Sequence, residues 1–189
     1  MSSFFPEDKE TPKELFFNSI KIRQLRSTDN ELDYQAVIES GFRSEGFPKE
    51  ENLKQISRHE RDHNDRKEFA FTIMDVDETV CFGCIFIKPI NPFLKFAFFN
   101  DRVIESLNIK ENDPGISFWI TPKGWDLNLF AKILKELINW FKNEWPYERL
   151  FFLGMRPTQK EVNEVEKISL KRNFLLQLQN EEYVLWQLF

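Results

Sequence analysis

Only two cysteines, Cys81 and Cys84, and two histidines, His59 and His63, occur in 189 residues. Two thiols are too few for a disulfide framework and suit a reducing compartment. With both histidines in one charged segment, the sequence argues against a Ser/His/Asp triad. P-loop, GxGxxG and GxSxG patterns are all missing, which removes the common phosphate-cradling loops and the nucleophile elbow. No apolar run approaches the length of a membrane span, and the opening MSSFFPEDKETPKE is acidic and lacks the apolar core of a signal peptide. The expected protein is soluble and cytoplasmic, with no membrane partner. Basic charge is short as well: 26 Lys and Arg against 31 Asp and Glu give a formal net charge of -5 and a pI near 5.3. That balance argues against nucleic acid as a partner.

Apolar material, by contrast, is ample. Hydrophobic residues make up 41% of the chain and aromatics 15%, with 21 Phe, enough to fill a core at this length. The expected organisation is a mobile tail over residues 1–18 and one domain over 19–189. The Phe-rich stretch PFLKFAFFN holds one lysine in an acidic chain, so packing or a partner surface accounts for it better than base stacking does.

Periodicity gives an alternating order of elements. SIKIRQL suits a first strand, and RSTDNELDYQAVIESGF a helix that stops near Gly41. PKEENLKQISRHERDHNDR reads as a second, mostly polar helix anchored by Leu53 and Ile56. FAFTIMDVDETVCFGCIFIKPI is a hairpin with Pro89 ending its second strand. The stretch after it holds a short helix and a loop. GISFWITP is a strand closed by Pro122, and DLNLFAKILKELINWFKNEW is the strongest helix, with Asp126 as its candidate cap. RLFFLGM, TQKEVNEVEKISLKRNF and EEYVLWQLF follow as strand, helix and strand. The class is α/β or α+β: one mixed, mostly antiparallel sheet flanked by helices.

Residues 59–63, HERDH, spell the two-histidine helix of zinc hydrolases, with Glu60 at the general-base position. The flanks SRHERDHNDRKE read instead as a solvated charge run, and no third histidine exists. His59, His63, Cys81 and Cys84 make a tetrahedral zinc set on paper. In a strand, however, positions three apart face opposite sides unless a bulge intervenes, and free cysteine is a common core residue. The expectation is no metal.

The element order and several local words resemble the GNAT superfamily of acetyl-CoA-dependent N-acetyltransferases, in particular the branch containing ribosomal-protein N-terminal acetyltransferases. IRQLRSTDNE is similar to that family's first strand and helix start. TVCFGCIFIKPI resembles its hairpin strand, with Gly83 in the glycine position. ISFWITPKGWDLNLFAKILKELINWFKNEW resembles the strand, cofactor loop and long helix without a gap. LKRNF with YVLW resembles the end of the last helix and the final strand, with Asn173 where a glycine usually closes the helix. The likeness covers about residues 20–189.

The resemblance implies acetyl transfer from acetyl-CoA to the amine of a small molecule or a protein. The CoA diphosphate would lie on the loop after the strand, so the implied cofactor residues are Ile120, Trp125, Asp126, Leu127, Asn128, Leu129, Phe130 and Ala131. Where the family loop has Gln or Arg this chain has Trp125, and its glycine positions hold Asp126, Asn128 and Phe130. Lys123 and Lys132 flank the loop. ISFWIT carries no acid and the last helix no tyrosine, so the usual catalytic positions are unassigned. Glu45, with Glu39 nearby, lies in the region that lines the acceptor side and is the candidate base, although a surface carboxylate is the plainer reading of each. Tyr183 either faces the cleft or packs. The alternative is a catalytically inactive GNAT-fold protein that binds a ligand or protein partner, with segment 93–99 as its contact surface. Acceptor and oligomeric state stay open.

Overall fold

The structure, a computed structural model, describes residues 4–96, 105, 108–110, 112–155, 157–168, 171–178 and 181–188. Its strands are β1 (Glu14–Phe17), β2 (Ile20–Gln24), β3 (Phe69–Asp75), β4 (Cys81–Pro89), β5 (Pro114–Ile120), β6 (Phe151–Met155), β7 (Lys171–Leu178) and β8 (Glu181–Gln187). Its helices are α1 (Asn30–Glu39), α2 (Lys49–Asn64), α3 (Ile90–Phe96), α4 (Pro122–Asp126), α5 (Leu129–Glu144) and α6 (Gln159–Ile168), with a 3₁₀ turn at Ser27–Asp29. Among the described residues, no helix is long and apolar enough to cross a membrane.

The chain divides into two compact units. One comprises Glu10–Phe86 and Phe118–Phe130; the other comprises the residues up to Lys9, Ile87–Ser117 and Ala131–Phe189. In the first unit the hydrogen-bonded strand order is β1-β2-β3-β4-β5, and in the second it is β4-β5-β6-β8-β7. The sheet is mixed and mostly antiparallel: β1 with β2, β2 with β3, β6 with β8 and β7 with β8 run antiparallel, and β5 with β6 runs parallel. The parallel ladder sets Gly115 opposite Phe151 and Ile116 opposite Phe152.

Within the first unit α1 and α2 bury a polar stripe rather than a purely apolar one. Asp29, Asp33, Ala36 and Val37 are buried from the first helical segment, and Asn52, Ile56, His59 and His63 from the second. Both sets follow the spacing of one helix face. Beneath them Leu25, Ile56, Ala70 and Cys84 form a core cluster, with Phe86 and Trp119 packed against it. Arg23, itself buried, clamps the start of α1: its Nη1 and Nη2 donate to Asp29 at 2.8 and 2.9 Å, and its Nε and Nη2 donate to Glu78 at 3.0 and 2.7 Å. In the second unit Phe5 packs edge-on against Trp145, which stacks on Phe141.

Three expectations are corrected. Residues assigned to a tail include buried Phe4 and Phe5, and β1 pairs with β2 across a two-residue turn in which Asn18 takes φ +51°. The last helix ends at Ile168, and Asn173 lies in β7 rather than at a helix end. Asp126 does not cap the long helix; it ends the separate helix α4.

Candidate functional site

The segment after β5 is built around Thr121. This residue is 1% exposed; its N–H donates to Phe82 O at 2.8 Å and its Oγ1 accepts from Gly124 N at 3.3 Å. Thr followed by Pro is a helix start, an N-cap oxygen and then a residue whose φ is already helical. The helix that results, α4, has only five residues. Leu127 N bonds to Lys123 O and Asn128 N to Trp125 O, and Asn128 turns left-handed at φ +53°. Asparagine is among the few residues with a side chain that take this conformation readily. It does so at a position where the resembling loop has glycine, and α5 begins at the next residue.

This joint changes the charge expected at the start of α5. Asp126 sits exposed at the end of α4, and the first turn of α5 holds no acidic residue. The partial positive charge of the helix start is therefore not met by a carboxylate of its own first turn. Phe130 is 1% exposed; Trp125 stacks on it at 4.7 Å and 11°, and Phe118 packs at 4.7 Å. Its side chain is core, which explains why this position is not small. Ile120 is buried beneath Gly124, Lys123 Nζ lies 5.8 Å from the Phe82 ring centre, Leu127 and Lys132 are exposed, and Ala131 is half-buried.

Gly83 fits closely behind this corner. At φ +151° it leaves room for no side chain, because a Cβ would fall 2.0 Å from Trp119 O. The irregularity also overturns the parity argument for the cysteines. Cys81 and Cys84 lie near one another: Cys81 Sγ donates to Gly83 O at 3.6 Å and lies 3.5 Å from Thr72 Oγ1, and Cys84 Sγ donates to Asp33 Oδ1 at 3.0 Å. Asp33 Oδ2 accepts from Asn52 Nδ2 at 2.8 Å. Burial raises the Asp33 carboxyl above its ordinary value, and the neighbouring Cys81, together with burial, holds the Cys84 thiol well above its own. Sequence reasoning missed Asp33, although its spacing with Asp29, Ala36 and Val37 carries the signal.

HERDH is not a solvated run. His59 Nδ1 pairs with Glu68, His63 Nδ1 accepts from Ala70 N at 3.3 Å, and Glu60 Oε2 accepts from Ser27 N at 2.9 Å. Burial lowers His63 to about 4, so its imidazole is neutral near neutral pH. Each member of the motif thus fastens α2 to its neighbours. Among the described residues, no group of three or more His, Cys, Asp or Glu is placed to hold a metal. Glu39 and Glu45 are exposed. Tyr183 is opposite Met155 and Leu176 in β8, and its side chain lies outside the described residues. Of the segment 93–99, α3 reaches Phe96 and Leu94 is buried; residues 97–99 lie outside the described residues.

No protein-family model and no curated protein matches the sequence. Solved structures do match. The ribosomal-protein-S5-alanine acetyltransferase from Vibrio fischeri superposes with a TM-score of 0.68 at 12% identity, over 93% of this chain and 96% of that one. An acetyltransferase of the GNAT family from Bacillus anthracis gives 0.62 at 13%, over 92% and 95%. An acetyl transferase from Salmonella typhimurium that modifies the N-terminal serine of ribosomal protein L7/L12 gives 0.61 at 11%, over 90% and 95%. The fold is that of the GNAT acetyltransferases.

Proposed function

We infer that the protein is a cytoplasmic N-acetyltransferase that moves an acetyl group from acetyl-CoA to an amine, on a small molecule or at a protein N-terminus. The carrying observation is the joint at Asn128: a left-handed residue leads directly into a long helix whose first turn carries no acid. A helix start of that kind is suited to a diphosphate, because its amides and dipole both favour negative charge. Of the backbone of residues 125–131, entered from Ile120, the amides of Trp125, Leu127 and Asn128 are taken by Thr121 O, Lys123 O and Trp125 O, so the residues that fit the group and would hold it are those of the first turn of α5, Leu129, Phe130 and Ala131. Acetyl-CoA supplies the activated acetyl thioester. The acceptor amine must lose a proton, and Glu45, exposed between α1 and α2, is the candidate to take it. The similarity to enzymes described as modifying ribosomal proteins makes a protein amine the first acceptor to try.

Calorimetric titration with acetyl-CoA and with CoA tests the cofactor, and dissociation constants of about 10 µM or tighter are expected. No heat at millimolar ligand would sink the reading and leave a GNAT-fold protein that binds something else. If acetyl-CoA binds, peptide and polyamine acceptors follow. Glu45→Gln should then lower kcat by about 100-fold or more, whereas Glu39→Gln should not.

A further inference from the structure

We propose that the first unit carries another binding site, for a small molecule bearing a phosphate dianion or diphosphate, in the hollow between segment 11–14, the end of β2 and the turn after α2. The hollow measures about 430 Å³, within the size range of small-molecule sites. Lys13, Arg23, Arg26 and Arg66 line it, and Glu14 is the single acid among its lining residues. In a chain whose formal net charge is -5, that is a local reversal of sign.

Which of these charges remain uncompensated decides the matter. Arg23 is committed to Asp29 and Glu78. Lys21, Lys49, Lys54, Lys67, Lys110, Arg149 and Lys167 likewise each pair with a carboxylate. Lys13 and Arg26, both exposed, have no acidic partner among the described residues, yet they line one hollow with Arg66. Like charges around one concavity repel, and an anion placed among them reverses that cost. Arginine's planar donors match phosphate oxygens, and lysine adds a point charge.

The C-terminus of α2, whose dipole opposes an anion, also borders the hollow. Its acceptors are largely taken up, since Arg61 O, Asp62 O and His63 O bond to Asp65 N, Lys67 N and Arg66 N. His63, which also lines the hollow, is neutral near neutral pH and adds no charge there.

Titrating the full chain with pyrophosphate, phosphate and citrate at low ionic strength tests this site. Wild type should bind pyrophosphate more tightly than citrate. Lys13→Ala/Arg26→Ala, which alters two exposed side chains, should weaken pyrophosphate by about tenfold or more and leave acetyl-CoA titrations unchanged. The proposal is overturned if pyrophosphate does not bind, if citrate binds equally well, or if the double variant keeps wild-type affinity. In the last case, displacement by CoA would place the anion at the start of α5 instead. Failure of acetyl-CoA to bind at all would sink the acetyltransferase reading without touching this one.

Discussion

Cys84 donates its thiol hydrogen to Asp33 Oδ1 at 3.0 Å, joining β4 to α1 through a buried carboxylate. Burial raises the Asp33 carboxyl above its ordinary 3.8, so the folded chain holds this proton at a pH where the unfolded chain has released it. Between those two values the native state binds more protons than the unfolded state, and stability falls as pH rises. Asp33→Asn removes that titration. Urea unfolding from about pH 4 to about pH 8 should show the variant gaining on wild type as pH rises. Parallel pH profiles for the two proteins would contradict the raised value.

Arg23 and Glu78 behave in the opposite sense. Hydrogen bonds from Arg23, then Lys21, lower Glu78 to about 2. Its contribution is therefore present above the unfolded value of 4.5 and is lost as pH falls toward 2. Glu78→Gln should flatten that acid limb, only slightly, because a side chain 34% exposed is screened by solvent. Arg23→Met is the severe change: it leaves Asp29, 9% exposed, without its cation and should cost about 3 kcal/mol in urea unfolding at neutral pH.

What the sequence made legible follows from how local each signal is. Gly41 after α1, Pro89 at the end of β4 and the apolar stripe of α5 all act within a few residues, and each lies where the pattern put it. β7 was hidden because Val162, Val165 and Ile168 set a helical rhythm that the following residues do not visibly break. Its pairing with β8 is a tertiary choice that overrides local preference. The meeting of Cys81 and Cys84 was hidden for a related reason. Regular strand parity argues against it, and between the two cysteines stands Gly83 at φ +151°, outside the regular strand conformation. In the candidate site, Asn128 at a glycine position is legible, whereas the separate helix α4 is not, since Thr121-Pro122 has the pattern of a strand end as well as of a helix start.

Gly83 allows a sharp stability test. Gly83→Ala would place a Cβ against a backbone oxygen at φ +151°, so β4 or β5 must move. A loss of more than about 2 kcal/mol in thermal or urea unfolding is expected. Gly46→Ala, where nothing lies within 4 Å and φ is not left-handed, is the control and should change stability by less than about 0.5 kcal/mol. Equal effects would mean that the packing at Trp119 is not as tight as described.

The joint between α4 and α5 carries the last prediction, because its two departures from a glycine loop should behave differently. Asn128 already holds the left-handed conformation, so Asn128→Gly should leave the fold intact, whereas Asn128→Val should cost about 1 kcal/mol or more. Asp126 is exposed at the end of α4 and takes no part in the first turn of α5, so it acts on a bound diphosphate only through its charge. Asp126→Asn should therefore tighten acetyl-CoA by about threefold at low salt, with the gain fading as ionic strength rises. Asn128→Gly should tighten it in a salt-independent way, by freeing space for the diphosphate rather than by altering charge. Phe130→Gly, by contrast, should cost about 3 kcal/mol of stability, because its ring fills the core between Phe118 and Trp125. Restoring all three glycines at once would then unfold more protein than it activates. If instead Asp126→Asn left acetyl-CoA affinity unchanged at every salt concentration, the diphosphate could not lie at the start of α5, and the cofactor reading would have to move to other residues.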